Sequence, residues 1–216
     1  MGKRIAFFSF VLIFFFLIST KTIFANNHGE ILGVEDTVKT VLEIPPTTKG
    51  PGLILPDSPL FFLDRIKQDF RLFFAFTPEA KAKLRANIAG ERLAELRVML
   101  AKNNLSAAKI ALEGISDNLK QAAAEVAQAK LTGRNVEDLA KAVNDDIKEK
   151  QQILDVLDSQ AKGELKSRVD AAQISLLKSK VDVEDALAQK DLENEINDDL
   201  NRSVRRKVQD AADSAK

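Results

Sequence analysis

An all-α fold, an antiparallel bundle of long amphipathic helices behind an N-terminal signal peptide and an extended linker, is what this 216-residue chain predicts. Three observations carry that expectation. From Pro59 onward apolar residues recur three or four apart, the period of a helix with one buried face. All six prolines lie between residues 45 and 78, so the later chain is free of them. Cysteine is absent, so no disulfide can stiffen the fold and a packed core has to hold it.

The elements follow in order. Lys3 and Arg4 precede an apolar-or-small run from Ile5 to Thr20, and the segment ends on the small residue Ala25. Lys21 interrupts the run short of the ~20 apolar residues of a membrane span. Residues 1–25 are therefore expected to be a signal peptide cleaved after Ala25, with an uncleaved N-terminal anchor as the alternative. Removing them takes away Lys3, Arg4 and Lys21 and no acid, which leaves three more acids than bases. Such a balance excludes an electrostatic nucleic-acid binder and gives no broad attraction to anionic lipid.

Residues 26–56, with "EIPPTTKGPG", read as a flexible linker. A helical bundle is expected over 57–190, and a charged terminal helix or tail over 191–216. Ser58-Pro59 and Thr77-Pro78 are N-cap and N1 pairs, which start helices near 59–75 and 78–102. Breaks are expected at Asn103-Asn104, Thr132-Gly133 and Gly163, and Asn135 caps a fourth helix. Ala108, Ala111, Ile115, Leu119, Ala122, Val126 and Ala129 form the seam of the third helix. Val136, Leu139, Val143, Ile147, Leu154 and Leu157 form that of the fourth. Leu165, Val169, Ala172, Leu176, Val183 and Leu187 line the fifth. After Asp191 the apolar residues come four apart, at Leu192, Ile196, Leu200, Val204 and Val208, a stripe that drifts around a helix.

Six of thirteen phenylalanines crowd into residues 61–76. At ~100° per residue, Phe62, Leu63, Ile66, Phe70, Phe73 and Phe74 share one face about 120° wide. Six phenylalanines present roughly 1,000 Å² of apolar surface, more than a monomer ordinarily exposes. That face is accordingly expected in the core. Phe61, Leu72 and Phe76, on the flank, are left as the candidate interaction surface for a partner or a bilayer. On the second helix Arg85 and Arg92 share a face. Their stems either cover the core edge with wet guanidinium groups, or Arg92 pairs with Asp64 or Asp69 and fixes the helical hairpin.

Catalysis finds little support. His28 is the only histidine and lies in the linker, so neither a metal site nor a His-based triad is expected. Ser106-Ala107-Ala108-Lys109 and Ser116-Asp117-Asn118 mimic penicillin-binding signatures, but ten residues apart on one helix they are chance. The acidic run from Asp182 to Asp199 lacks the glycine turn of a calcium loop and reads as a solvated face. The sequons at Asn104 and Asn201 matter only in a glycosylating host. No cofactor, metal or catalytic residue is expected.

"PDSPLFFLDRIKQDFRLFFAFTPEAKAKLRANIAGERLAELRVMLAKNN" resembles the domain of unknown function 5667 family. Residues 56–60, 76–82 and 91–95 ("ERLAE") carry the likeness, which fades to a general helical similarity through about residue 160. Phe61 stands where that family commonly has Tyr. The resemblance implies a bacterial, all-α, extracytoplasmic domain and brings no established catalytic residues. Two roles follow as expectations: a structural or protein-interaction module of the cell envelope with an envelope protein partner, or a membrane-surface or chaperone-like binder using the Phe-rich helix. Oligomeric state is not determined by the sequence.

Overall fold

The computed structural model describes residues 42–214. The signal peptide, its cleavage position, His28 and the first part of the linker lie outside them. Among the described residues there are six helices and no strand: α1 Phe61–Phe73, α2 Pro78–Ala101, α3 Leu105–Leu131, α4 Glu137–Gln160, α5 Gly163–Glu184 and α6 Gln189–Ser214. The all-α class is as the sequence predicts. None of these helices is long and apolar enough to cross a membrane.

Local chemistry sets the boundaries. Thr77 sits in extended backbone and its hydroxyl accepts the Ala80 N–H at 3.2 Å, with Pro78 at the first helical position, where no donor is missed. Asn104 caps α3 the same way, its Oδ1 accepting the Ala107 N–H at 3.1 Å. Two helices end in the six-to-one turn that needs a left-handed residue just beyond the cap. Asn103 supplies it after α2 at φ 54°, with Asn104 N–H on the Met99 carbonyl. Gly133 supplies it after α3 at φ 75°, with Arg134 N–H on the Ala129 carbonyl. Asn135 Oδ1 accepts the Glu137 N–H at 3.2 Å at the entry to α4.

One start differs from expectation. Ser58-Pro59 does not cap α1; the helix begins at Phe61, with Leu60 as its uncapped N-cap. The Ser58 hydroxyl accepts the Leu60 N–H at 3.2 Å and its carbonyl the Phe61 N–H, so the pair makes a tight turn ahead of the helix.

The core is built on α3, whose seam residues from Ala108 to Ala129 are all fully buried. Small side chains there let α2 pack along one flank and α5 along another, and α5 in turn packs on α4. All six seam residues expected of the fourth helix are buried. So are those of the fifth, except Leu187, which lies partly buried against the same core.

The expected linker is not free over its second half. Ile44 is buried in the core and Leu42 and Leu55 pack against it. Gln160 pairs with Glu43 twice, Oε1 accepting its N–H at 3.0 Å and Nε2 donating to its carbonyl at 2.9 Å. Residues 42–56 are thus a strap across the bundle. Proline and glycine deny it a helix, but Leu42, Ile44 and Leu55 still find the core, while Leu53 stays exposed.

Candidate functional site

The hairpin of α1 on α2 departs most from what periodicity predicts. The α1 residues turned toward the bundle are Phe61, Asp64, Gln68 and Leu72; Asp64 and Gln68 are buried, and Phe61 and Leu72 half-buried. The face expected in the core points to solvent. Phe70 is 61% exposed and Phe73 73%, and Phe62, Leu63, Ile66 and Phe74 are exposed as well. On a helical wheel the two faces are about 180° apart. Phe61 and Leu72, expected on an accessible flank, face the bundle instead. Phe76, past the helix end, is 82% exposed as anticipated of a contact residue. Phe73, Phe74 and Phe76 stack edge to face in sequence, with centroids 5.3 Å and 6.5 Å apart.

A buried charge explains the inversion. Arg92 lies on the inner face of α2 at 4% exposure and cannot reach water. Its Nη1 donates to Glu95 Oε2 at 2.6 Å, one turn along the same helix. Its Nη2 donates to Asp64 Oδ2 at 3.0 Å and Gln68 Oε1 at 2.6 Å, both on α1. Gln68 Nε2 returns a hydrogen bond to Asp64 Oδ2 at 2.9 Å. The Phe61 ring covers the guanidinium, its centroid 4.7 Å from Cζ. A buried guanidinium needs carboxylates more than α1 needs to bury rings. The polar face of α1 therefore goes in, and the phenylalanines go out.

Of the two partners anticipated for Arg92, Asp64 is the one in contact; Asp69 is exposed and forms no ion pair with it. The alternative of a wet guanidinium on a snorkelling stem fails for Arg92. Arg85 is only partly buried, with Nη1 3.5 Å from Asn118 Oδ1 and a buried Nε that has no protein partner. Desolvation holds its pKa below the usual arginine value.

Glu95 is the residue the sequence reading missed. Its carboxylate is fully buried and also accepts the Gly52 N–H at 3.3 Å, which ties the strap into the same cluster. A Cβ on Gly52 would come within 2.8 Å of Glu95 Oε1, so a side chain here would push that carboxylate out of its place. One cation thus faces two buried carboxylates. Burial raises the pKa of Glu95 above the usual carboxylate value, against the opposing pull of Arg92. The signal available in the sequence was Arg92 and Glu95 standing three apart among Leu93, Ala94 and Leu96, where a core helix should carry no charge.

The terminal helix repeats the pattern. Lys148 of α4 donates to Glu195 at 2.7 Å and to Asp198 at 2.8 Å. Lys180 of α5, 2% exposed at its side chain, reaches Asp199 at 2.6 Å. Arg202 Nη2 binds Asp155 at 2.8 Å. Burial pushes both lysine pKa values down, but their carboxylate partners outweigh it and hold them above the ordinary value. Ile196, Leu200, Val204 and Val208 are left exposed. The sequence predicts a charged terminal helix or tail from residue 191; α6 is a helix from Gln189 and is fastened to α4 and α5 by its acids.

Among the described residues no cluster of three His, Cys, Asp or Glu side chains is placed to hold a metal ion. What the site offers is an apolar surface on a short helix clamped by a buried ionic cluster. These features define an all-α bundle that turns the apolar faces of its two outer helices to solvent. By sequence, the chain belongs to the family described as Domain of unknown function (DUF5667), whose model matches residues 53–210. The match extends well past residue 160 and takes in α6 as part of the domain. Neither a curated protein nor a solved structure matches the chain.

Proposed function

We propose that this protein is an exported, non-catalytic helical module of the cell envelope, and that it makes its contact through the outward face of α1. The observation carrying this reading is the set of six apolar side chains, five on α1 and Phe74 at its C-cap, held in water by a helix that buries Asp64 and Gln68. Five phenylalanines at 53–82% exposure present about 500–800 Å². A soluble monomer's largest apolar patch is usually ~300–600 Å², and larger ones mark sites of contact. Export is supported by Lys3, Arg4, the apolar run after them and Ala25. The non-catalytic reading is supported by the single histidine at position 28 and the missing cysteine.

A photoreactive side chain at Phe73 and another at Leu131, which is equally solvent-exposed at the end of α3, test the contact in expressing cells. Adducts to lipid or protein from position 73 and none from 131 are expected, in the envelope fraction. Equal labelling from both positions, or none from 73, would overturn the reading.

A further inference from the structure

We infer that the outward face of α1 docks on an anionic lipid bilayer surface; this rests on the contact-surface reading above and names its partner. Three observations carry it. The first is shape: α1 is a ridge of 13 residues, about 20 Å long, with Phe62, Leu63, Ile66, Phe70 and Phe73 on its outward side and only Phe61 and Leu72 among its apolar side chains turned inward. A helix of that kind lies in the plane of a bilayer interface with its apolar face a few ångströms below the headgroups.

The second is charge. Lys67 and Arg71 border the apolar face on one flank; on the other Asp69, the single exposed acid of α1, lies beside it with Arg65 beyond. Arg71 also reaches Glu91, at 3.4 Å, and stays 40% exposed at its side chain. The chain as a whole has no positive excess, yet the rim of this face does. Such a rim meets anionic headgroups favourably, at about fivefold in partitioning per juxtaposed cation. A second copy fits worse. It would set Lys67 and Arg71 beside their own kind, over an area at or below the ~800 Å² per partner of a stable interface.

The third is where the chain outside the described residues leads. Upstream of the strap stands the basic and apolar sequence Lys3–Thr20, the expected signal peptide or anchor. Residues 21–41 can span at most about 70 Å. Kept as an anchor, that segment holds the strap and α1, the described parts nearest to it in the chain, within that reach of the bilayer. Such a tether raises the local concentration of the surface and lets a modest patch suffice.

The absence of tryptophan gives a clean test on the full chain. Phe73→Trp places one indole on the outward face, and Leu131→Trp one on the control position. Each variant is first checked for native helicity by circular dichroism. With vesicles of phosphatidylglycerol and phosphatidylcholine, the indole at 73 should shift to the blue and be quenched by brominated acyl chains. The indole at 131 should do neither. Lys67→Glu with Arg71→Glu should move the lipid-titration midpoint at least tenfold higher. An equal response to pure phosphatidylcholine overturns the anionic-lipid assignment. A blue shift that grows with protein concentration and needs no vesicle puts a second copy on this face; it overturns lipid docking and leaves the contact surface standing. An indole at 73 that stays accessible to iodide in every condition overturns lipid docking, and the contact-surface reading then depends on the cellular adducts alone.

Discussion

Replacing Arg92 by methionine isolates the ionic cluster that clamps α1. The side chain keeps much of its volume, so the packing of α2 is little changed, but Asp64 and Glu95 lose their shared cation. At an effective dielectric of ~20, the contacts at 3.0 Å and 2.6 Å carry gross attractions of about 5.5 and 6.5 kcal/mol. Desolvating three ions cancels most of that, so the net worth of the intact cluster is small. Removing one partner is different, because it leaves buried charge uncompensated at about 3–5 kcal/mol. For a domain of this size that lowers Tm by on the order of 10 °C. The loss has a ceiling. Since α1 touches the bundle mainly through this cluster, it can release and return Asp64 to water. Hydrogen exchange at α1 amides should therefore accelerate before the urea midpoint of the whole domain moves. Arg92→Lys, which keeps the charge and loses the two-pronged geometry, should fall between. Exchanging all three charged residues for apolar ones, Arg92→Met with Asp64→Leu and Glu95→Met, should be milder than Arg92→Met alone. A urea midpoint within about 1 kcal/mol of wild type, with unchanged exchange in α1, would refute the clamp.

The same cluster predicts a pH dependence. Burial raises the folded pKa of Glu95, so its stabilising protonated form is favoured as pH falls from neutrality through that raised value toward the ordinary 4.5, and its benefit is lost on the way back up. Subtracting the pH profile of Glu95→Gln from that of wild type should leave a difference that grows in favour of wild type in that window; a flat difference would exclude Glu95 as its source. Phe70→Ala and Phe73→Ala should each cost at most about 1.5 kcal/mol, because roughly a third of each ring is withdrawn from water, whereas a core phenylalanine costs ~3–5. Phe61→Ala, which uncovers Arg92, should cost more than either, and the reverse ranking in urea melts would contradict the inverted helix. Thr77→Ala should cost about 1 kcal/mol at unchanged m-value through loss of the hydroxyl cap on the Ala80 N–H.

Where only local chemistry or a one-faced period decides, the sequence was sufficient. Thr77-Pro78 and Asn104 fix helix starts because a hydroxyl or amide oxygen takes an orphan N–H, whereas Ser58-Pro59 makes a turn ahead of α1 instead. The seam from Ala108 to Ala129 could be read directly, because a helix with a single apolar face has a single way to be buried. What the sequence left undecided was the orientation of any helix that has something to bury on both sides. On α1 the apolar arc was the larger, and counting area alone sends it inward. The decision came instead from Arg92, 28 residues away, whose buried guanidinium takes Asp64 and Gln68 and so fixes the rotation of α1. On α6 the lysines of α4 and α5 make the same choice through Glu195, Asp198 and Asp199. The strap follows the same logic: its composition denies it a helix, and only the packed bundle offers Ile44 a core and the Gly52 N–H an acceptor. Hydrophobic transfer scales with area and is blind to direction. A buried charge must meet its opposite at one distance and one angle, and which residues can do so is known only once the helices have packed.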